Sequence, residues 1–393
     1  MKICIPTESF LYYMGTTVFS GGETLLLEIC RLLVADGHDV TVIQMGTEDK
    51  AFHHEGIKVK QVRTPTLSLI QKVFIRRWFW AGMYLWRHID KDADWVHFHS
   101  HYMAFPLAGG LRCRRTGMNH GVDWNVPWSY ETITLRGLRD RFVFFCLKGV
   151  TRFSVSRLDR LITNDYFFVH YTTHRRPHML KKFAYVPNFT YTNLFRPDVA
   201  PLSRIREQFP GCRLILLPKM ATRDRGTDII YECLLRLNRP ELRLIITHTS
   251  GGVPQFVQLA KDMGLEDKVH FTGHVDFEKE LPGIYAAADI VVIPSPCREA
   301  TAIAMLEGMS MGKPMVVANI GGLTEVAKDR YNCLVRGANA EEFTSAMAEL
   351  LDNPELGRTL GDNARQFMLG AYNKDLWDAR IRAFFDPAYL KSR

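Results

Sequence analysis

Residues 290–314 constrain the fold more than any other stretch. The apolar run Ile290-Val-Val-Ile293 is short and β-branched, the composition of a strand buried inside a parallel sheet. A polar turn with Glu299 follows. From Thr301 onward, Ile303, Leu306 and the methionines recur at helical spacing. Gly312-Lys-Pro314 stops that helix with a residue suited to a left-handed cap and a proline that cannot extend it.

Two carboxylates flank the helix start. Glu299 lies at its mouth and Glu307 eight residues later, a rise of roughly 12 Å along a helix. That separation excludes a tight acid–base pair acting on one atom and suits a grip on both ends of a long ligand. Between them, the free N–H groups and dipole of the helix N-terminus favour an anion. The order matches a nucleotide-sugar. Sugar hydroxyls would meet Glu299, the diphosphate would lie over the backbone of Ala300, Thr301, Ala302, Ile303 and Ala304, and the ribose diol would meet Glu307. A charge-assisted hydrogen bond to a hydroxyl is worth roughly 1.5–3 kcal/mol, so one at each end sets the register. Taken alone, the spacing also fits a solvated helix with two ordinary glutamates.

Glu-x7-Glu after a strand, then Gly312-Lys-Pro314 and Gly321-Gly322-Leu-Thr-Glu325, resembles the retaining GT-B glycosyltransferases of the large family that contains sucrose synthase and the bacterial mannosyltransferases. The resemblance implies an α/β fold of GT-B architecture: two facing Rossmann-like, doubly wound domains with a cleft between them. It implies metal-independent transfer of a hexosyl unit from a UDP- or GDP-linked sugar, with retained anomeric configuration. No cofactor beyond that donor is expected. In the family the first Glu lies by the donor sugar and the second binds the ribose. The usual Glu-Gly-Phe-Gly reads Glu299-Ala-Thr-Ala302 here, which keeps backbone donors but restricts how closely a phosphate approaches.

Further matches extend over nearly the whole chain. Lys2-Ile-Cys-Ile-Pro6, a loop, and a helix opening at Gly21-Gly22 before the strand 39–45 form a βαβ unit. In the family this glycine-rich loop lies beside donor phosphate and acceptor, although a plain flexible turn would read the same way. His120 in Gly117-Met-Asn-His-Gly121 resembles the turn that points a histidine at the donor sugar; a satisfied buried imidazole is the alternative. Tyr185-Val-Pro-Asn188 and Phe195-Arg-Pro197 resemble the family's crossing between domains. Lys219 and Arg225-Gly226 take the places of two cations that neutralise the diphosphate as leaving group, with Arg223 in reserve. The catalytic set expected from the resemblance is thus His120, Glu299, Lys219 and Arg225. The expected domains are 1–190 for the acceptor and 191–374 for the donor, with a terminal helix 375–393 crossing back onto the first.

Composition bounds the partners. A 47% hydrophobic, 23% charged chain is globular, and eight scattered cysteines without Cys-x-x-Cys suggest buried thiols in a reducing cytosol. No signal peptide is visible, and no apolar run is long enough to span a bilayer. Residues 1–200 hold 26 Lys/Arg against 17 Asp/Glu, a net +9, while the rest carries 24 against 25, a net −1. Within the basic half, Lys72, Arg76, Arg77, Trp78 and Trp80 interleave cations and rings as an anionic membrane surface requires. Arg112, Arg114, Arg115, Arg136, Arg139, Arg141 and Lys148 extend that patch. A core helix is the bland alternative, and no nucleic-acid motif is present.

His97, His99 and His101 alternate, so they would share one strand face if the strand ran that far. Neither they nor Asp90-x-Asp-x-Asp94 makes a convincing metal site, so no metal is expected. The expected activity is glycosyl transfer to a glycan or lipid-linked saccharide for a cell-surface polysaccharide or lipopolysaccharide. It would take place at the cytoplasmic face of a membrane. Two rivals stay open: an epimerase on the same fold, needing no acceptor, and a non-catalytic nucleotide-sugar-binding protein.

Overall fold

The computed structural model describes residues 1–11, 21–64, 83–104, 110–120, 149–174, 176–247 and 253–388. The chain divides into two compact units. One holds the described residues up to Val186 and those from Asp378; the other runs from Pro187 to Trp377.

The first unit is built on eight strands: β1 (Lys2–Pro6), β2 (Asp39–Gly46), β3 (Lys50–His54), β4 (Ile57–Arg63), β5 (Trp95–Phe98), β6 (Arg114–Asn119), β7 (Arg160–Thr163) and β8 (Phe183–Tyr185). Their order is β3-β4-β2-β1-β5-β6-β7-β8. Every pairing is parallel except the β3–β4 hairpin. β1 takes β2 on one side and β5 on the other, so the winding reverses there. At such a reversal the strand ends open a crevice for ligands.

The second unit carries β9 (Arg213–Leu217), β10 (Leu242–Ile246), β11 (Val269–Phe271), β12 (Ile290–Ile293), β13 (Met315–Ala318) and β14 (Leu334–Arg336). They form a fully parallel sheet in the order β11-β10-β9-β12-β13-β14. Leu214 to Leu217 and all of β12 are buried, as near-continuous apolar strands inside a covered parallel sheet must be. The winding reverses between β9 and β12. Lys219 follows the first of these strands and Glu299 the second.

Some element ends differ from expectation, each for a local reason. The helix expected from Thr301 is Ile303–Ser310, because Ala302 is its extended N-cap and Thr301 is engaged elsewhere. The helix before β12 is Leu281–Ala287 and does not reach back to Phe277. Asp276 accepts from the N–H groups of Glu278 and Lys279 and holds that approach as a turn. β5 stops at Phe98, and His101 opens the short turn His101–Ala104, so the three alternating histidines do not share one strand face.

The last helix, Lys374–Phe385, contributes to both units. Trp377 lies 4.6 Å from the Phe189 ring within the second. Phe385 lies 5.2 Å from both Trp95 and His97 within the first, where Arg382 also pairs with Asp36 at 2.9 Å.

Lys72, Arg76, Arg77, Trp78, Trp80, Arg136, Arg139, Arg141 and Lys148 lie outside the described residues. Of the arginines expected to extend their patch, Arg115 pairs with Asp159 at 3.1 Å and Arg114 stacks over Trp95, so both serve the fold; Arg112 is exposed. Among the described residues no helix is long and apolar enough to cross a membrane.

Candidate functional site

Three of the expected residues converge at the β9–β12 reversal. Lys219 Nζ and Ser295 Oγ both donate to the Glu299 carboxylate, and Arg225 Nη1 donates to its Oε1 at 2.7 Å. Lys219 and Glu299 are buried, with side chains 9% and 10% exposed; Arg225 is 37% exposed. Burial alone pushes the Glu299 carboxyl up, but Lys219 and Arg225 more than offset it and hold the group at about 2. Burial also pulls Lys219 below its ordinary range, against the opposing pull of Glu299. Lys219 and Arg225 thus converge on one buried carboxylate, with the more exposed Asp224 standing 3.9 Å from Arg225 as a second acid.

Backbone geometry explains why these groups meet. Gly226 sits in the left-handed region (φ 74°), and a Cβ there would lie 2.4 Å from the Pro294 carbonyl oxygen. Only glycine lets the turn Arg223–Arg225 approach the end of β12 so closely. Arg223, exposed on that turn, is not part of the network. On the other side Gly322 N–H donates to the Glu299 carbonyl at 2.7 Å, and a Cβ on Gly322 would lie 2.7 Å from the Ala300 carbonyl carbon. The Gly321-Gly322 turn thus fixes the loop that carries Glu299.

Ala300, Thr301, Ala302 and Ile303 lead into the helix. Ala302 has no side chain to bond the first-turn amides, so none is spent on a cap. Thr301 is fully buried. Asn188 N–H donates to its Oγ1 at 2.9 Å, and Asn188 Nδ2 donates to its carbonyl at 2.6 Å. The asparagine of the Val-Pro-Asn crossing therefore anchors the loop. Asn188→Ala leaves the buried Thr301 carbonyl without this donor and is expected to cost roughly 1–3 kcal/mol, read as a fall in the midpoint of urea unfolding.

Glu307 stands apart from the cluster, buried within its helix. Tyr285 Oη lies 2.7 Å from its Oε2, and burial raises the carboxyl to about 7.

In the first unit, Gly21 and Gly22 begin the helix Gly21–Ala35. His99 Nε2 lies 3.0 Å from the Gly22 carbonyl, and His120 Nε2 lies 2.8 Å from the His99 carbonyl. A carbonyl only accepts, so both rings carry the proton on Nε2 and present Nδ1 as a lone-pair acceptor. Neither Nδ1 has a partner among the described residues. Burial holds His120 down at about 4, so its ring is neutral at pH 7. Among the described residues no group of three His, Cys, Asp or Glu side chains is placed to hold a metal ion.

Two family models match this chain. Glycosyltransferase Family 4 covers residues 19–193, and Glycosyl transferases group 1 covers residues 206–367. The chain is related to the glycosyltransferases of these two families. It is 28% identical over 212 residues to the GDP-mannose-dependent alpha-(1-6)-phosphatidylinositol monomannoside mannosyltransferase of Mycobacterium tuberculosis, a match covering 51% of this chain. The matched part spans about half the length of that relative, 54%. Sucrose-phosphate synthase from Thermosynechococcus elongatus has a similar structure, with TM-score 0.81 and 18% identity over 100% of both chains. HepE of Anabaena, solved with UDP-glucose, gives TM-score 0.72 at 17% identity, over 98% of this chain and 99% of that one. At these identities the structures show a common fold, the two Rossmann-like units of GT-B.

The motifs of the resembled family pointed to Glu299, Lys219 and Arg225. They did not mark Ser295, Tyr285 or His99, although Ser295 stands four residues before Glu299 at the end of a strand, where such a donor is worth looking for.

Proposed function

We propose that the chain is a retaining glycosyltransferase moving a hexosyl unit from a UDP- or GDP-linked sugar to a glycan or lipid-linked saccharide, in the assembly of a cell-surface polysaccharide or lipopolysaccharide. The observation that carries this reading is the Lys219–Glu299–Arg225 cluster at the β9–β12 reversal. Lys219 and Arg225 turn to the diphosphate and stabilise its negative charge as the glycosidic bond breaks. Glu299 accepts from sugar hydroxyls in place of those cations. Glu307 takes the ribose diol, and His120 accepts from a sugar hydroxyl through Nδ1. Retention through a covalent intermediate needs a carboxylate beneath the anomeric carbon, and Glu299 is committed to hydroxyls. We favour same-face displacement, in which the leaving phosphate takes the acceptor's proton.

The lipid-linked acceptor is supported by the relative named for phosphatidylinositol monomannoside. Attachment to the inner membrane face, with the chain otherwise cytoplasmic, rests on the sequence alone: the segment with Lys72, Arg76, Arg77, Trp78 and Trp80 and the net +9 of residues 1–200. Purified protein with a panel of UDP- and GDP-sugars is expected to release nucleotide only when a lipid-linked saccharide is present. Acceptor-independent epimerisation, or binding with neither transfer nor hydrolysis, would replace this reading with one of its rivals.

A further inference from the structure

Tyr285, in the helix Leu281–Ala287, has a proton arrangement that the family motifs do not mention. Its Oη lies 2.9 Å from the Ala304 carbonyl oxygen and 2.7 Å from Glu307 Oε2. The hydroxyl has one proton to give, and a carbonyl and a carboxylate only accept. When Glu307 is protonated, its own O–H donates to Tyr285 Oη while Tyr285 donates to Ala304, and every contact is satisfied. When Glu307 is ionised, the Tyr285 hydroxyl rotates to donate to it and gives up Ala304. Passage between the two arrangements needs only that rotation and one proton.

We propose that Tyr285 is a positioning residue for the donor nucleotide, whose hydroxyl sets the proton occupancy of Glu307, and that the carboxyl gives up its proton when a ribose diol binds. The proposal rests on the reading of Glu307 as the ribose ligand. A diol donates to a carboxylate, so binding favours the ionised form. The surroundings agree. Burial raises the Glu307 carboxyl to about 7, with the Tyr285 hydrogen bond pulling the other way. Tyr285 itself, buried beside that carboxyl, is raised well above 10 and keeps its proton. No cation among the described residues pairs with Glu307. Of those on neighbouring segments, Lys313 donates to the carbonyls of Ala286 and Ala288, and Arg365 to Ser310 and the carbonyls of Thr192 and Phe195. The Phe195 ring stands edge-on to Tyr285 at 5.7 Å and holds it in place.

The test is calorimetric titration of the full chain with UDP-glucose and with GDP-mannose, whose diphosphate diesters do not titrate near neutrality. At pH 6.5, comparison of buffers with different ionisation enthalpies is expected to show release of roughly 0.7 proton per bound nucleotide-sugar, fading to none by pH 9. Affinity should fall about tenfold from pH 8 to pH 6, because the bound form must first lose a proton. Tyr285→Phe removes a donor to the ionised carboxyl. It is expected to weaken binding about tenfold at pH 7 and to match the wild type by pH 9. No proton release by the wild type, or an equal loss for Tyr285→Phe at every pH, would overturn the proposal. Glu307→Gln tests the ribose reading separately: undiminished binding at pH 8 would remove Glu307 from the site, and failure of both probes to bind at any pH would remove the site itself.

Discussion

Glu299→Ala is expected to lower sugar transfer by about a thousandfold while the protein stays folded. Interactions preorganised around charge that develops in a transition state are worth two to three orders of magnitude in such replacements. Here the carboxylate has two tasks. In the function proposed above it positions the sugar hydroxyls, and it pairs with Lys219 and Arg225 before donor arrives. Without it, the buried Lys219 ammonium has lost its anion and sheds its proton more easily. Glu299→Gln keeps the shape and the Ser295 contact but not the charge, so it should recover folding more fully than turnover. The linkage has a definite sign. Because the folded protein holds Glu299 at about 2 against an ordinary 4.5, its contribution to stability is present above about pH 4.5 and is lost as pH falls toward 2. Acid unfolding of the alanine variant should therefore be less steep across that window. Turnover with the donor and circular-dichroism melts at several pH values measure both effects. Wild-type rates in the alanine variant would refute the assignment.

Gly226→Ala is expected to be among the most damaging small substitutions in the second unit. The left-handed backbone alone costs an alanine about 1–2 kcal/mol, and the added Cβ would fall 2.4 Å from the Pro294 carbonyl oxygen, a backbone atom that cannot swing away. A total of about 3 kcal/mol is expected, or a thermal midpoint lower by about 10 °C for a unit of this size. Activity should fall further than stability explains, because relief of the clash moves Arg225 away from Glu299. Differential scanning calorimetry and kinetics on the same preparation separate the two losses. An alanine variant as stable as the wild type would mean that the turn and β12 do not approach so closely.

Much of the second unit was legible from its apolar runs, since β9, β10, β12 and β13 are short, buried and separated by turn residues. The separation of Glu299 and Glu307 was read as helical rise, but the helix starts only at Ile303, so half of those eight residues are loop. What stayed hidden was whatever depends on a neighbour remote in the chain. Nothing local to Thr301 announces that its hydroxyl and carbonyl are taken by Asn188, 113 residues earlier. That pairing gives the departure from Glu-Gly-Phe-Gly a structural reason. Glu307 was read as a ligand for the ribose diol, with a solvated carboxylate as the alternative; it is buried on Tyr285, which reads locally as one more apolar residue before a strand. The alternating His97, His99 and His101 suggested a shared face, but β5 ends too soon, and His99 instead joins Gly22 to the backbone that holds His120. The basic residues of β6 read as a patch because charge is visible in sequence and partners such as Asp159 and Trp95 are not.

When donor binds, its diphosphate is expected to replace Glu299 as the partner of Lys219 and Arg225. A crystal structure of the full chain with a non-hydrolysable UDP- or GDP-sugar tests it most directly. The account predicts diphosphate density against Lys219 Nζ and the Arg225 guanidinium, with both Glu299 ion pairs opened and its carboxylate on the sugar hydroxyls. Density for the nucleotide elsewhere, with the Lys219–Glu299–Arg225 pairs still closed, would contradict it.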